Sequence, residues 1–337
     1  MKLVSYLKDE HDQLALLVDG FLYNVNDLHP ELPGSISMFL NYWEDVYPHA
    51  IMVEKAIKEK RFLQNRGTPY EEVQLLSPIV FPNSLRDAFA FRRHAEALQE
   101  NKGAALIPEY SHYPVFNFSN HHNVQGAGDI RCMSDHFEQL DFGLEAAIVI
   151  CKHGRNIRAE HADEYIGGLM IMNNFCARRL QSEEMLLGIG QAKGKDFATS
   201  LGPALVTLEE LEQFEIPAKE NHVGRSWNLA MKCRVNGTVV GNGNLGDMDW
   251  TFAEIIERAS YGVDLVPGDV IGSGTVSTGC FLELNGTGKR TNPSYTEQWL
   301  QAGDTIELEI QELGILHNHI IQEEDTWSIL QQKKHQY

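Results

Sequence analysis

The stretch "LDFGLEAAIVI", residues 140–150, decides what kind of chain this is. It predicts a β-strand in which Asp141, Gly143 and Glu145 alternate on one side before the apolar tail Ala146 to Ile150. A glycine between two carboxylates on one face needs a reason, because glycine weakens a strand and marks a bulge or a close approach of another backbone. Either another group packs against residue 143, or a side chain has been lost there.

Working outward, strand signals dominate. On the N-terminal side, "KLVSYLKDEHDQLALLVDGFLYNV" holds two or three short strands, the last pair joined by Asp19-Gly20, the chemistry of a tight hairpin. Residues 35–62 read as helical in two segments, the second beginning after Pro48. "VQLL" and Ser77-Pro78 then suggest a boundary, giving a small β module at 1–76 and a larger domain at 77–337. In the larger part, "ALVTL", "AMKCRVNGTVVG" with its Asn236-Gly237 turn, "LVPGDVIGSGT", "GCFLEL" and "DTIELEIQELGIL" all predict strands. One clear helix interrupts them at "WTFAEIIERAS", where Thr251 and Glu254 have capping-box spacing and Phe252, Ile255, Ile256 and Ala259 form one stripe. The fold class is therefore mainly β, of the α+β kind.

Composition narrows the function. Among 337 residues, 28 Lys+Arg stand against 47 Asp+Glu, a formal net charge of −19 that repels phosphate backbones and anionic membrane surfaces. Nucleic acid and membrane are poor partners for such a chain. The five cysteines are scattered and never in a CxxC pair, which argues against a disulfide framework or a structural zinc site. The first residues lack a charged-then-apolar leader and no stretch of about eighteen apolar residues occurs, so a soluble cytoplasmic protein is expected.

Several polar residues sit where core is due. In "SLRDAFAFRRHAEAL", Asp87, Phe91, His94 and Leu98 have helical spacing, which places an acid and a histidine on one buried face; taken alone, a helix cap and a hydrogen-bonded core histidine are the simpler reading. In "MIMNNFCARRLQSEEM", Asn174, Arg178 and Gln181 share a helical face, with a solvated surface as the equal alternative. "GIGQAKGKDFATS" is not a Walker loop, because Ile189 stands where the first glycine belongs and Asp196 follows Lys195. It is not a dinucleotide loop either, since Lys193 stands at the third glycine. Adjacent His121 and His122 suggest a surface loop, and His317 and His319 an exposed strand end.

Taken together, Asp87 with His94, then Glu145, then Asn174-Arg178-Gln181, then Lys195 and Thr199, then "GSGTVSTGCFLEL", resemble in order and spacing the fumarylacetoacetase (fumarylacetoacetate hydrolase) family. The resemblance spans roughly residues 80–315, and the N-terminal module is similar to the small β-barrel that precedes the catalytic domain in longer members. It implies a mixed β-sandwich roll, a homodimer, and a Mg²⁺ or Ca²⁺ ion held by acidic side chains. The implied reaction is metal-assisted cleavage or rearrangement of a C–C or C–O bond beside a carbonyl in a small oxo-acid.

Residue by residue, the family's metal set of an Asp, an E-x-E pair and an Asp corresponds here to Asp87, to Gly143 and Glu145, and to Asn174. Two of four carboxylates are missing, and the glycine falls on a ligand position. Four carboxylates exceed the charge of a divalent ion, whereas Asp87 and Glu145 only balance it. An asparagine carbonyl is still a legitimate oxygen ligand, and substrate oxygens would complete the shell. The resemblance also implies a water-activating pair in His94 and Glu283. Lys195, Arg178 and Gln181 become donors to developing negative charge, and Thr199, Thr275 and Asn117 contacts for substrate or metal waters. The rival expectation is a weakened homologue that binds an oxo-acid, or partners an active paralogue, without turnover.

Overall fold

A computed structural model describes residues 1–61, 67–324 and 327–332. Its frame is one large mixed sheet with a smaller sheet packed on one face and helices on the other, as expected for the family roll. In chain order the strands used below are β1 (Lys2–Lys8), β2 (His11–Val18), β3 (Phe21–Asn24), β4 (Ser84–Ala88), β5 (Phe116–Ser119), β6 (Gly128–Cys132), β7 (Leu144–Ile150), β8 (Ile166–Asn174), β9 (Thr199–Val206), β10 (Ala230–Val235), β11 (Thr238–Asn244), β12 (Asp269–Gly272), β13 (Thr305–Ile310) and β14 (Gly314–Gln322). Along the large sheet they run β3-β2-β1-β9-β8-β7-β12-β4-β5, and the five-stranded sheet runs β11-β10-β13-β14-β6.

The tight turns follow from their residues. Asp19-Gly20 and Asn236-Gly237 take positive φ at both positions (49° and 80°, 50° and 76°), the left-handed pair that a two-residue hairpin requires. Asp9 and Glu10 do the same between β1 and β2 at φ 50° and 64°, without the glycine that makes such a turn readable.

The large sheet is covered on both sides. Ala146, Ile148, Leu169 and Ile171 face Met231, Ile306, Leu308 and Leu316 of the smaller sheet. Ala147, Val149, Met170 and Leu201 face the other way, toward Leu40, Val46, Ala50 and Val53. Those last residues lie on α1 (Ile36–Asn41) and α2 (Trp43–Lys58). Double coverage explains why every residue of β7, β8 and β9 is buried and why their sequences read as continuous apolar runs.

Several sequence expectations change in the structure. The helical region breaks at Tyr42, and Pro48 lies inside α2 rather than starting a second segment. The N-terminal strands form no closed barrel: β1 pairs with β9, Lys2 opposite Val206, so they extend the large sheet. The proposed division near residue 77 therefore separates two chain segments that share one sheet. Asp87 ends up on a strand and His94 on the helix after it, α3 (Arg92–Glu100). Asn174 likewise closes strand β8 while Arg178 and Gln181 begin α4 (Arg178–Met185), so the three do not share a helix face. α5 (Phe252–Ser260) has the expected capping box, with Thr251 Oγ1 accepting from Glu254 N at 3.2 Å and Glu254 Oε2 from Thr251 N at 2.9 Å. "GCFLEL", read as a strand, is instead the start of α6 (Phe281–Thr291).

Candidate active site

The ladder sets which side chains meet. Asn174 N donates to Gly143 O, and Asn174 lies opposite Thr199, so residues 143, 174 and 199 share one face of the large sheet. Glu145 is two residues along from Gly143 on that face. Asp87, next to Gly272 on β12 and Asn117 on β5, joins it from the other side.

There the oxygens crowd. Asp87 Oδ2 accepts from Asn174 Nδ2 at 2.6 Å and from Lys195 Nζ at 3.1 Å, while Thr275 Oγ1 donates to Glu145 Oε1 at 3.0 Å. Asp87 Oδ1, Glu145 Oε2 and Asn174 Oδ1 are all buried and accept from no N–H or hydroxyl of another residue, which leaves a proton shared between the Glu145 and Asp87 carboxyls, or a cation, to meet them. A buried acceptor without a partner costs about 1–3 kcal/mol, and one proton cannot serve all three oxygens. An all-oxygen set with two carboxylates suits a hard divalent cation. The residues present therefore fit a metal even with glycine at 143 and asparagine at 174.

Charge in the cluster is finely divided. Burial is the largest influence on Lys195 and acts against its charge, but Asp87 leads the opposing influences and its pKa ends raised. Burial, followed by the nearby Asp87, pushes Glu145 well above the ordinary carboxylate range. A carboxyl raised in this way supports the fold while protonated and loses that contribution as pH climbs through its folded-state pKa. A cation binds the ionised form, so the Mn²⁺-induced rise in melting temperature is expected to be larger near pH ~8 than near pH ~5. Equal shifts at both would remove Glu145 from the metal set.

Glycines shape the pocket. A Cβ at residue 143 would stand 3.0 Å from Thr275 Oγ1, 3.1 Å from Glu145 Oε1 and 3.2 Å from Asn174 O, so a side chain there enters the oxygen cluster directly. That answers the question raised by the strand sequence: position 143 faces the site. Gly274 takes φ +80°, and a Cβ on it would lie 2.4 Å from Ala88 O, so only glycine lets this loop lie against β4 and deliver Thr275 to Glu145.

The loop that carries Thr275 to Glu145 also meets a second pair: His94 Nδ1 and Glu283 Oε2 are 2.5 Å apart, both buried. Glu283 also accepts from Ser277 Oγ at 2.8 Å and Thr278 N at 3.0 Å. Thr278 holds φ +65°, a region that costs a β-branched residue roughly 1–3 kcal/mol, and the strained turn aims its N–H at the carboxylate. With Nδ1 donating to Glu283, the imidazole keeps Nε2 as its proton acceptor.

Arg178 binds a different anion, Asp141, and Gln181 binds Arg178. Asp141, which the strand reading turned outward, is fully buried. It accepts from Arg178 Nε at 2.8 Å and from three backbone N–H groups, Phe142 at 2.9 Å, Phe281 at 2.7 Å and Leu282 at 3.1 Å. Arg178 Nη1 donates to Gln181 Oε1 at 3.0 Å, and Gln181 Nε2 donates to Gln191. Among the described residues no hydrogen bond joins Arg178 or Gln181 to Asp87, Glu145 or His94. Asp141→Ala is expected to cost about 3–5 kcal/mol in urea unfolding, because it strands a buried guanidinium and uncaps α6. The pair replacement Asp141→Leu with Arg178→Met should recover much of that loss; a single-variant loss below ~1 kcal/mol would contradict this.

Other expected residues fall at the margins. Asn117 Nδ2 donates to Asp87 O at 3.3 Å, and Thr199 flanks Asn174 in the ladder. Next to Asn117, Phe118 is not among the expected site residues and is exposed, with the Arg86 guanidinium 4.9 Å from its ring centre. His121 and His122 sit in a short turn with ring centres 4.3 Å apart. His317 and His319 face separate carboxylates, Glu307 at 3.7 Å and Asp129 at 3.0 Å. Sequence reasoning missed Glu184, whose carboxylate accepts from Ala192 N (2.9 Å), Lys193 N (2.7 Å) and Gly194 N (3.1 Å) and so ties down the loop that carries Lys195. In sequence it reads like the neighbouring solvated Glu183. All five cysteines are buried and free, and no described helix is long and apolar enough to cross a membrane.

Comparison with known proteins follows the same lines. Residues 84–321 match the family model described as fumarylacetoacetate (FAA) hydrolase C-terminal. The chain belongs to this fumarylacetoacetate hydrolase family. Its relatives include the oxaloacetate tautomerase YisK of Bacillus subtilis (strain 168), 32% identical over 295 residues, 86% of this chain and 87% of that one. The mitochondrial oxaloacetate tautomerase Fahd2a of Rattus norvegicus is 27% identical over 327 residues, covering 95% of this chain and 92% of its own. Among solved structures, maleylpyruvate hydrolase from Sphingobium sp. SYK-6, in complex with manganese(II) and pyruvate, superposes with TM-score 0.67 at 17% identity over 96% of this chain and all of that one. This family member is accordingly an enzyme-fold protein of a group acting on oxo-acids.

Proposed function

We propose that this family member is a divalent-metal-assisted keto–enol tautomerase of a small 2-oxo dicarboxylic acid of the oxaloacetate type. The observation that carries the reading is the trio of buried oxygens, Asp87 Oδ1, Glu145 Oε2 and Asn174 Oδ1, with the Lys195 ammonium on Asp87, and the His94–Glu283 pair held by the loop that brings Thr275 to Glu145. Relatives matched over most of their length bear the tautomerase name.

Asp87, Glu145 and the Asn174 carbonyl would hold Mg²⁺, Ca²⁺ or Mn²⁺, which when bound polarises the substrate's carboxylate and carbonyl oxygens as a Lewis acid. The chain's own residues supply the proton chemistry. His94 Nε2 removes the proton from the carbon next to the carbonyl; the C–H electrons form the C=C bond, and the carbonyl π pair moves onto oxygen. Lys195 Nζ donates a hydrogen bond to that oxygen as its charge develops. His94 then returns the proton to the oxygen, giving the enol with no net loss of atoms. Glu283 keeps the ring in one tautomer and stabilises it while protonated. Homodimeric assembly and a cytoplasmic setting are part of the proposal on the family resemblance and composition alone.

A second reading, hydrolysis of a C–C bond in an acylpyruvate, draws on the same His94–Glu283 pair, because a buried base held by a carboxylate also deprotonates water. Two assays separate the readings. With Mn²⁺ present, the enol absorbance of oxaloacetate should decay faster than in buffer, while acetylpyruvate should release no pyruvate. Pyruvate release without faster enol decay would favour the hydrolase. Neither activity would leave a protein that binds an oxo-acid without turnover.

A further inference from the structure

Resting on the proposed metal site, we infer that this chain takes up its cation and its 2-oxo acid cooperatively, because positions 143 and 174 no longer supply the charge that would hold the cation alone. The inference comes from counting the charges the structure brings together. Asp87 and Glu145 contribute two negatives and the Lys195 ammonium, hydrogen-bonded to Asp87 at 3.1 Å, one positive. Arg178 adds nothing to the sum, since it is paired with buried Asp141. A divalent ion binds Glu145 in its ionised form, so the metal-loaded cluster carries one excess positive charge. That excess lies against Asp87, Glu145 and Asn174, which are 3%, 0% and 2% exposed, and an unbalanced charge there is poorly solvated. One substrate carboxylate restores neutrality. With acids at residues 143 and 174 the same loaded cluster would stay negative, and an anionic ligand would oppose the metal's attraction rather than complete it.

Geometry agrees with the count. Position 143 faces the cluster, its Cβ site 3.0 Å from Thr275 Oγ1, 3.1 Å from Glu145 Oε1 and 3.2 Å from Asn174 O, so an acid there would add its charge directly and glycine adds none. Linkage makes the effect reciprocal: each ligand must tighten the other by the same factor.

The test titrates Mn²⁺ into the intact protein by calorimetry, with Mn²⁺ paramagnetic resonance as a second readout, in the absence and presence of pyruvate. Pyruvate is expected to tighten Mn²⁺ by roughly tenfold or more, and Mn²⁺ to tighten pyruvate equally. In Gly143→Glu/Asn174→Asp, Mn²⁺ should bind more tightly alone and the coupling factor should fall toward one. The near-isosteric Asn174→Asp variant should move both quantities in the same direction if the double variant does not fold. Mn²⁺ affinity unchanged by pyruvate, or coupling undiminished in both variants, overturns the inference while leaving the metal site intact. Failure of Mn²⁺ to bind even with pyruvate overturns the metal site itself.

Discussion

Lys195→Met is expected to lower kcat/KM for oxaloacetate tautomerisation by roughly 10²- to 10³-fold, the scale of losing one donor to a developing oxyanion. Among the described residues, Lys195 is the only cation hydrogen-bonded to the oxygen cluster, through Asp87 Oδ2. Its loop is held by three backbone hydrogen bonds to Glu184, so the variant removes a charge without releasing the loop. The loss should fall mainly on kcat, because the negative charge that the ammonium meets develops only during the reaction. Lys195→Arg should not rescue, since a planar fork cannot replace a compact point charge in a buried position. Circular dichroism should show an unchanged fold; a kcat within a factor of a few of the native value would remove Lys195 from the chemistry.

His94→Gln is expected to cost roughly 10²- to 10⁴-fold in kcat, the contribution of a positioned general base. His94 and Glu283 are both buried at 2.5 Å, and Ser277 and Thr278 fix the carboxylate from the other side. Glu283→Gln should also lower kcat with little change in KM, because an amide can donate to Nδ1 and so select the wrong tautomer. The histidine variant should still bind Mn²⁺ and pyruvate, which distinguishes lost proton transfer from a collapsed site. Retained turnover in His94→Gln would assign the proton transfer elsewhere.

The parts of this chain that were legible from sequence are those whose local pattern and tertiary role agree. The apolar run after Glu145 gave its strand because both faces of the large sheet are covered, and the Thr251–Glu254 box gave its helix because both capping bonds are local. The "GCFLEL" segment misled because a short apolar run does not tell strand from helix. Its helix begins where Asp141, far away in sequence, accepts the N–H groups of Phe281 and Leu282. The four-three-four spacing of Asp87, Phe91, His94 and Leu98 imitated one helix although it spans a strand, a turn and a helix start. The structure brings Asp87, Glu145, Asn174 and Lys195 together, and His94 to Glu283, residues that motif order rather than periodicity had linked. The burial of Asp141 and the role of Glu184 were not legible because three of Asp141's donors and all three of Glu184's are backbone N–H groups, which leave no mark in the sequence.

The most direct measurement is anomalous diffraction at the manganese edge from crystals grown with Mn²⁺ and pyruvate. A single strong peak is expected about 2.0–2.6 Å from Asp87 Oδ1, Glu145 Oε2 and Asn174 Oδ1, the spacing of oxygen-held divalent cations. No peak among those three atoms, or a peak elsewhere in the molecule with the trio left untouched, would contradict a metal-centred site built from two carboxylates and an amide.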